Sequence, residues 1–425
     1  MKSARQIAAE ALLRVERGGY SQLVLDAAVR DSGLGERDRQ FAAALFYGTL
    51  ERRVTLDHCI ARYARKPVGD VVAVLLREAF YQLLYLESVP AHAAVDEAVE
   101  LTRRLRVASA AGMVNGILRN FLRDGKTLPP VRGGAAARLA VEGSCCEDLA
   151  DCLIGWYGEE TARAILLSSF GRPPIYGRVN TLRTDGDALA ERLAAQGCTA
   201  APTELFACVS LTGAPAQTAA HAEGLFHIQD ICSQRAALAL GAGPGERVLD
   251  LCAAPGSKSF LIAQEMGDTG RLLACDLSAG RLKQVEKGAR RLGLTAIETR
   301  QNDARVPADL GSFDRVLIDA PCSGLGVLRR KPEIKLRGRE AFAGLPQTQY
   351  QILKTGADYV CAGGVLVYST CTINPEENDG VVDRFLAQND AFEPLPFDGG
   401  AWKTTHLPAG DGGDGFFISR MRRKT

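Results

Sequence analysis

The chain of 425 residues lacks any apolar stretch long enough to cross a membrane. Its first residues, Met1-Lys2-Ser3-Ala4-Arg5-Gln6-Ile7, enter an amphipathic helix pattern and not the apolar core of a secretion signal. A cytoplasmic location with no membrane partner is therefore expected. No Cys-x-x-Cys pair occurs, and the one local cysteine cluster, Cys145, Cys146 and Cys152, has no histidine nearby. The five histidines form neither a metal nor a triad pattern, so no metal is expected. Twelve cysteines in a chain without a secretion signal then read as reduced thiols, not a disulfide framework. No Gly-x-Gly-x-x-Gly follows the first strand of the C-terminal part, and Gly256-Ser257-Lys258-Ser259 lacks the order and upstream glycine of a phosphate loop. Net charge is only +1, which gives no global nucleic-acid signature.

Positive charge is instead local. It gathers in Arg329-Arg330-Lys331 followed by Lys335, Arg337 and Arg339, in Arg103-Arg104-Leu105-Arg106, and in Arg420-Met421-Arg422-Arg423-Lys424. Such runs are usually solvated faces, but beside a base-modifying site the first gains weight as a phosphate contact.

A chain of this length divides into about two or three domains. Residues 1–130 carry successive helical patterns, with Ser3 as a cap for the first, and predict a helical bundle. Residues 135–220 mix helix and strand and predict a small α/β module. From 221 to 425 strands and helices alternate as in a doubly wound parallel sheet. Buried strands are expected at Arg247 to Cys252, Arg271 to Cys275, Ile297 to Arg300, Phe313 to Asp319 and Gly364 to Ser369. Asn374-Pro375-Glu376-Glu377 reads as a helix opening with Asn as its cap.

The chemistry-bearing residues all fall at carboxyl ends of strands, where open α/β sheets bind ligands. After the first strand, Cys252-Ala253-Ala254-Pro255-Gly256-Ser257-Lys258 makes a turn of small residues that suits S-adenosylmethionine, whose amino-acid end can lie against backbone amides. Asp276 can accept from ribose hydroxyls, and Asp303 can hold the adenine amino group or the cofactor loop. Taken singly, each strand-end Asp reads equally well as a cap for the next helix. Asp250 reads as structural. Lys258, in the first turn of a helix, opposes the helix dipole and so calls for a carboxylate nearby. Cys275 and Cys361 read as buried core, and Phe416-Phe417 as a strand core pair.

Cys322, in Asp319-Ala320-Pro321-Cys322-Ser323-Gly324, and Cys371, in Tyr368-Ser369-Thr370-Cys371-Thr372, stand at two strand ends. Paired thiols there point to cytosine C5-methylation. Carbon 5 becomes nucleophilic only after a thiolate adds to carbon 6, and cysteine, with a pKa of about 8.5, supplies that thiolate. Asp319 can protonate or hydrogen-bond N3 and the exocyclic amine.

These three motifs resemble the RNA (cytosine-5) methyltransferases of the Nol/Nop/Sun family. Val89-Pro90-Ala91-His92-Ala93-Ala94-Val95-Asp96-Glu97-Ala98-Val99-Glu100-Leu101 resembles the NusB-type helical RNA-binding domain. The resemblance implies a Rossmann-like methyltransferase domain behind an all-α NusB-like domain and a connecting α/β domain. It implies S-adenosylmethionine held by Cys252, Ala253, Ala254, Pro255, Gly256, Ser257 and Lys258, with Asp276, Asp303 and Asp319 as further contacts. Cys371 would be the nucleophile and Cys322 would assist release, the reverse of the Pro-Cys role in DNA cytosine methyltransferases. The substrate implied is 16S rRNA at cytosine 967; the sequence does not determine the oligomeric state, and a monomer with no obligate protein partner is the default expectation. Ser257 departs from the family's usual second glycine, and a left-handed backbone there would cost about 1 kcal/mol. A DNA methyltransferase using Cys322, a non-catalytic RNA-binding factor and a small-molecule or protein methyltransferase are the rival readings; the paired thiols and the NusB-like segment weigh against them.

Overall fold

The computed structural model describes residues 2–18, 21–30, 32–408 and 412–425, without the side chains of 21–23 and 398. It divides into two compact units, one comprising Met1–Gly171 with Lys335–Gly338, the other Arg172–Ile334 with Arg339–Thr425.

The first unit is helical. Ser3 caps its opening helix, Ala4–Glu16, by accepting from the Gln6 amide at 3.2 Å. Helices Arg53–Tyr63, Asp70–Tyr85, Ala91–Arg104 and Ala111–Arg123 pack apolar faces around Phe80 and Phe121, whose rings meet edge to face at 4.9 Å. Helices Ser21–Arg30 and Ala135–Gly143 are present beyond those the periodicity predicted. Lys335 belongs to this unit too. It is 1% exposed, and its Nζ donates to the Glu51 carbonyl at 2.9 Å, the Gly143 carbonyl at 3.2 Å and Ser169 Oγ at 3.3 Å. Burial pulls its pKa down to about 8. The expected phosphate contact is thus an internal cation.

The second unit holds two sheets. Strands β1 (Ile175–Val179), β2 (Thr199–Pro202), β3 (Cys208–Thr212) and β4 (Phe226–Ile228) form an antiparallel sheet in the order β2-β3-β1-β4. The larger sheet contains β5 (Arg247–Asp250), β6 (Arg271–Asp276), β7 (Ile297–Gln301), β8 (Phe313–Asp319), β9 (Val360–Thr370), β10 (Phe392–Pro394), β11 (Lys403–His406) and β12 (Phe416–Arg423). Its order is β10-β12-β9-β8-β5-β6-β7, with β11 on β12. The five strands from β9 to β7 are parallel, and β12 runs antiparallel to β9. Helices Ile231–Leu238, Ser257–Glu265 and Ala279–Leu292 cover one face; Leu345–Asp358 and Asp379–Ala387 cover the other. Burial on both faces explains why the central strands are almost continuously apolar.

Several expectations fail here for local reasons. Asn374 caps a turn and not a helix: its side chain accepts from the Glu376 amide at 3.1 Å and donates to Glu377, while the helix starts at Asp379. Arg330 is held internally by Asp414 at 2.5 Å and Asp230 at 3.1 Å. The Arg420–Lys424 run is mostly strand β12, with Met421 in the core and Arg422 paired to Glu393 at 2.5 Å. Cys361 is only half-buried, its thiol 3.6 Å from Asp314, because it lies near the start of β9; Cys275 is fully buried.

Candidate active site

The carboxyl end of β5 carries the small-residue loop. Gly256 has φ of +111°, and a Cβ there would stand 2.6 Å from the Phe260 ring, so only glycine fits. Ser257 is the first residue of the following helix, which leaves the left-handed conformation to Gly256. Ala253 and Ala254 are each 6% exposed and expose little side chain. Cys252 is not poised to react: burial, then Asp250, Asp319 and Asp276, push its thiol well up. Asp250 beneath the loop accepts from Ser259 Oγ at 2.6 Å, and burial lifts its pKa to about 7.

At the end of β6, Asp276 accepts from the Ala254 amide at 3.3 Å and the Ser278 amide at 2.9 Å, and pairs with Arg281 at 3.1 Å. Arg281 also donates to the Ala254 carbonyl, tying loop and carboxylate together. Sequence reasoning passed over Arg281, which only its position after the strand-end Asp could have signalled. Asp303, beyond β7, is committed to Arg305, which holds its pKa at about 2. Among the described residues no hydrogen bond or ion pair joins Asp303 to the loop after β5.

The ends of β8 and β9 bring the remaining residues together. Lys258 Nζ meets Asp319 Oδ2 at 2.7 Å, and Ser369 Oγ donates to Asp319 Oδ1 at 2.9 Å. Lys258 is nearly buried and also lies 4.9 Å from the Phe416 ring centroid. The helix-start lysine thus has a partner that offsets its unfavourable place in the dipole. Beside this pair, Cys322 Sγ and Cys371 Sγ are 3.2 Å apart as free thiols. The hydrogen bond from Cys322 lowers the pKa of Cys371, with Lys258 and Lys331 adding to it. The same contact, together with burial, raises the pKa of Cys322.

A second residue missed in the sequence is Glu377. Fully buried, its carboxylate accepts from the Ser323 amide at 2.9 Å, Ser323 Oγ at 2.5 Å, Gln349 at 2.8 Å and Asn374 at 3.0 Å. It anchors the loop that carries Cys322. The pattern of a helix opening concealed it, because an acid at that position is usually a solvated N3 residue.

A doubly wound sheet with an antiparallel strand beside its fifth parallel strand, and a small-residue loop after its first, defines a Rossmann-like methyltransferase. Family models match along the chain: the NusB family at residues 2–123, a Methyltr_RsmF/B-like ferredoxin-like domain at 149–216, and the 16S rRNA methyltransferase RsmB/F at 237–422. The probable ribosomal RNA small subunit methyltransferase B of Bacillus subtilis is 38% identical over 445 residues, covering 99% of each chain. The crystal structure of PH0851 superposes with a TM-score of 0.83 at 23% identity, covering 100% of this chain and 99% of that one. NSun6 from Pyrococcus horikoshii with SFG gives a TM-score of 0.60 at 22% identity, over 66% of this chain and 98% of its own. The chain belongs to the ribosomal RNA small subunit methyltransferase B family. It pairs a NusB-like domain with an RsmB/F methyltransferase domain.

Proposed function

We propose that the protein methylates carbon 5 of a cytosine in 16S rRNA, with cytosine 967 as the target, through a covalent adduct on Cys371. The observation that carries this reading is the pair of free thiols 3.2 Å apart, beside the Lys258–Asp319 ion pair. The residues fit S-adenosylmethionine: Cys252 to Lys258 offer backbone with little side chain, and Asp276 and Asp319 offer carboxylates beside it, while Asp303 is already paired with Arg305 and would have to give up that partner to join them. When bound, S-adenosylmethionine supplies the electrophilic methyl group that carbon 5 takes.

Cys371 adds as thiolate to carbon 6, and the electron density moves toward N3. Asp319, fixed between Lys258 and Ser369, accepts a hydrogen bond from the exocyclic amine, and the proton that N3 gains comes from Lys258 by way of Asp319 and returns when Cys371 leaves. Once Cys371 is a thioether its anion no longer opposes ionisation of Cys322, which gives its proton to solvent and stands as the thiolate. Cys322 then takes the carbon 5 proton, and Cys371 leaves as the ring regains its double bond. Extruding the base costs roughly a few kcal/mol, least where it is already unpaired. In this reading residues 1–130 and 135–220 dock RNA, residues 221–425 perform the chemistry, and a monomer acts in the cytoplasm without an obligate protein partner.

The test is denaturing gel analysis of RNA–protein adducts with small-subunit rRNA and labelled S-adenosylmethionine. Cys322→Ala should trap a covalent complex, and Cys371→Ala should give neither adduct nor methylation. Methylation by Cys371→Ala would sink the assignment and return the nucleophile to Cys322.

A further inference from the structure

The thiols of Cys322 and Cys371 stand close enough to react with each other as well as with a base. Their sulfurs are 3.2 Å apart, and a disulfide needs about 2.05 Å, so each sulfur has only about half an ångström to travel. The chain on both sides holds them in that register. Asp319 pairs with Ser369 near the ends of β8 and β9, the Gly326 amide donates to the Cys371 carbonyl at 3.0 Å, and Ser323 Oγ lies 2.8 Å from Thr372 Oγ1.

Both thiols are half-buried and so within reach of a small solute, whereas Cys59, Cys145 and Cys275 are enclosed. Burial pushes the thiol pKa of those three up to about 12, which keeps them protonated and slow to oxidise. Cys371 is lowered instead, by its hydrogen bond from Cys322, and is the readier of the two groups of thiols to stand as the anion that oxidants attack.

We infer that Cys322 and Cys371 form a reversible disulfide, which closes when the protein meets a hydroperoxide and switches the site off, and which opens when a dithiol reduces it. The Cys371 thiolate attacks one peroxide oxygen, the O–O bond breaks, and the departing hydroxide takes up a proton as water. The Cys322 sulfur then displaces the hydroxyl of the Cys371 sulfenic acid, and the Cys322 proton leaves with that hydroxyl as a second water. Two electrons pass from the sulfur pair to the peroxide, and no further reactant is needed. With both sulfurs bonded, Cys371 cannot add to carbon 6 and Cys322 cannot take the carbon 5 proton. The same bond spares Cys371 from the sulfinic acid, which a dithiol does not reverse. That the disulfide silences methylation rests on the RNA methyltransferase reading; that it forms does not.

The experiment treats the full-length protein with hydrogen peroxide, blocks the remaining thiols with iodoacetamide, and maps peptides by mass spectrometry without reductant, beside methylation of small-subunit rRNA before and after dithiothreitol. A linked Cys322–Cys371 peptide, two hydrogens lighter than its parts, should appear as methylation falls at least about tenfold, and dithiothreitol should remove the link and restore the rate. In Cys322→Ser the same treatment should carry Cys371 to the sulfinic acid, two oxygens heavier and unmoved by dithiothreitol, a readout independent of turnover. Absence of the linked peptide from the treated wild-type protein would overturn the switch, whether or not activity is lost. So would a Cys371 that returns to the thiol in Cys322→Ser as fully as in the wild type. Untreated protein that forms the link on oxidation yet never methylates rRNA would overturn the methyltransferase reading and leave the disulfide standing.

Discussion

At the scale of single residues, the site contains groups whose protonation is set by burial. Asp250 is the simplest case. Its native pKa of about 7 lies above the ordinary carboxylate value, so below about pH 4 both folded and unfolded states carry the proton. Between pH 4 and 7 the unfolded chain releases it and the native state keeps it, so stability falls as pH rises through that window. The full cost, on the order of 4 kcal/mol, is present above pH 7. Asp250→Asn should therefore raise the melting temperature at pH 8 and show no gain at pH 4, as thermal unfolding at the two pH values would reveal. Glu377 acts in the opposite sense, as an acceptor that several buried donors depend on. Glu377→Ala should cut kcat at least tenfold by releasing the Cys322 loop, with cofactor affinity unchanged within about threefold. Equilibrium cofactor titration beside single-turnover methylation separates the two, and a variant with normal kcat would refute the anchoring role.

At the scale of elements, the loop after β5 depends on one backbone conformation. Gly256→Ala places a methyl against Phe260 on a left-handed residue, so it should destabilise the protein by at least about 1 kcal/mol and abolish cofactor binding. Calorimetric titration with S-adenosylmethionine checks this. The four parallel strands β5, β6, β8 and β9 were legible in the sequence because burial on both faces makes them largely apolar, and the motif residues follow from their ends, whereas β7 is an exposed edge strand of mostly polar residues and not the buried strand expected. Strand β12 was less legible, since its Arg420, Arg422 and Arg423 alternate with or follow core residues and read as a basic tail. Lys335 and Arg330 misled for a related reason: nothing in a one-dimensional charge run tells a solvated lysine from one satisfied by two carbonyls and a hydroxyl. Glu377 was hidden because its donors, Ser323 and Gln349, come from distant parts of the chain.

At the scale of the whole molecule, the first unit takes part of its interior from a stretch more than one hundred and sixty positions further along the chain, since it comprises Met1–Gly171 with Lys335–Gly338. During synthesis the helices up to Ser168 emerge early, yet the Glu51 and Gly143 carbonyls and Ser169 Oγ must wait for Lys335. A fragment of residues 1–171 should therefore fold with lower stability than the same residues in the complete chain, by about 1–3 kcal/mol for the missing buried donor. Hydrogen exchange of the Asp70–Tyr85 helix in both forms would measure it. A nascent chain consequently carries an unfinished helical unit on the ribosome until Lys335 is translated, by which point strands β5 to β8 have been made and β9 to β12 have not.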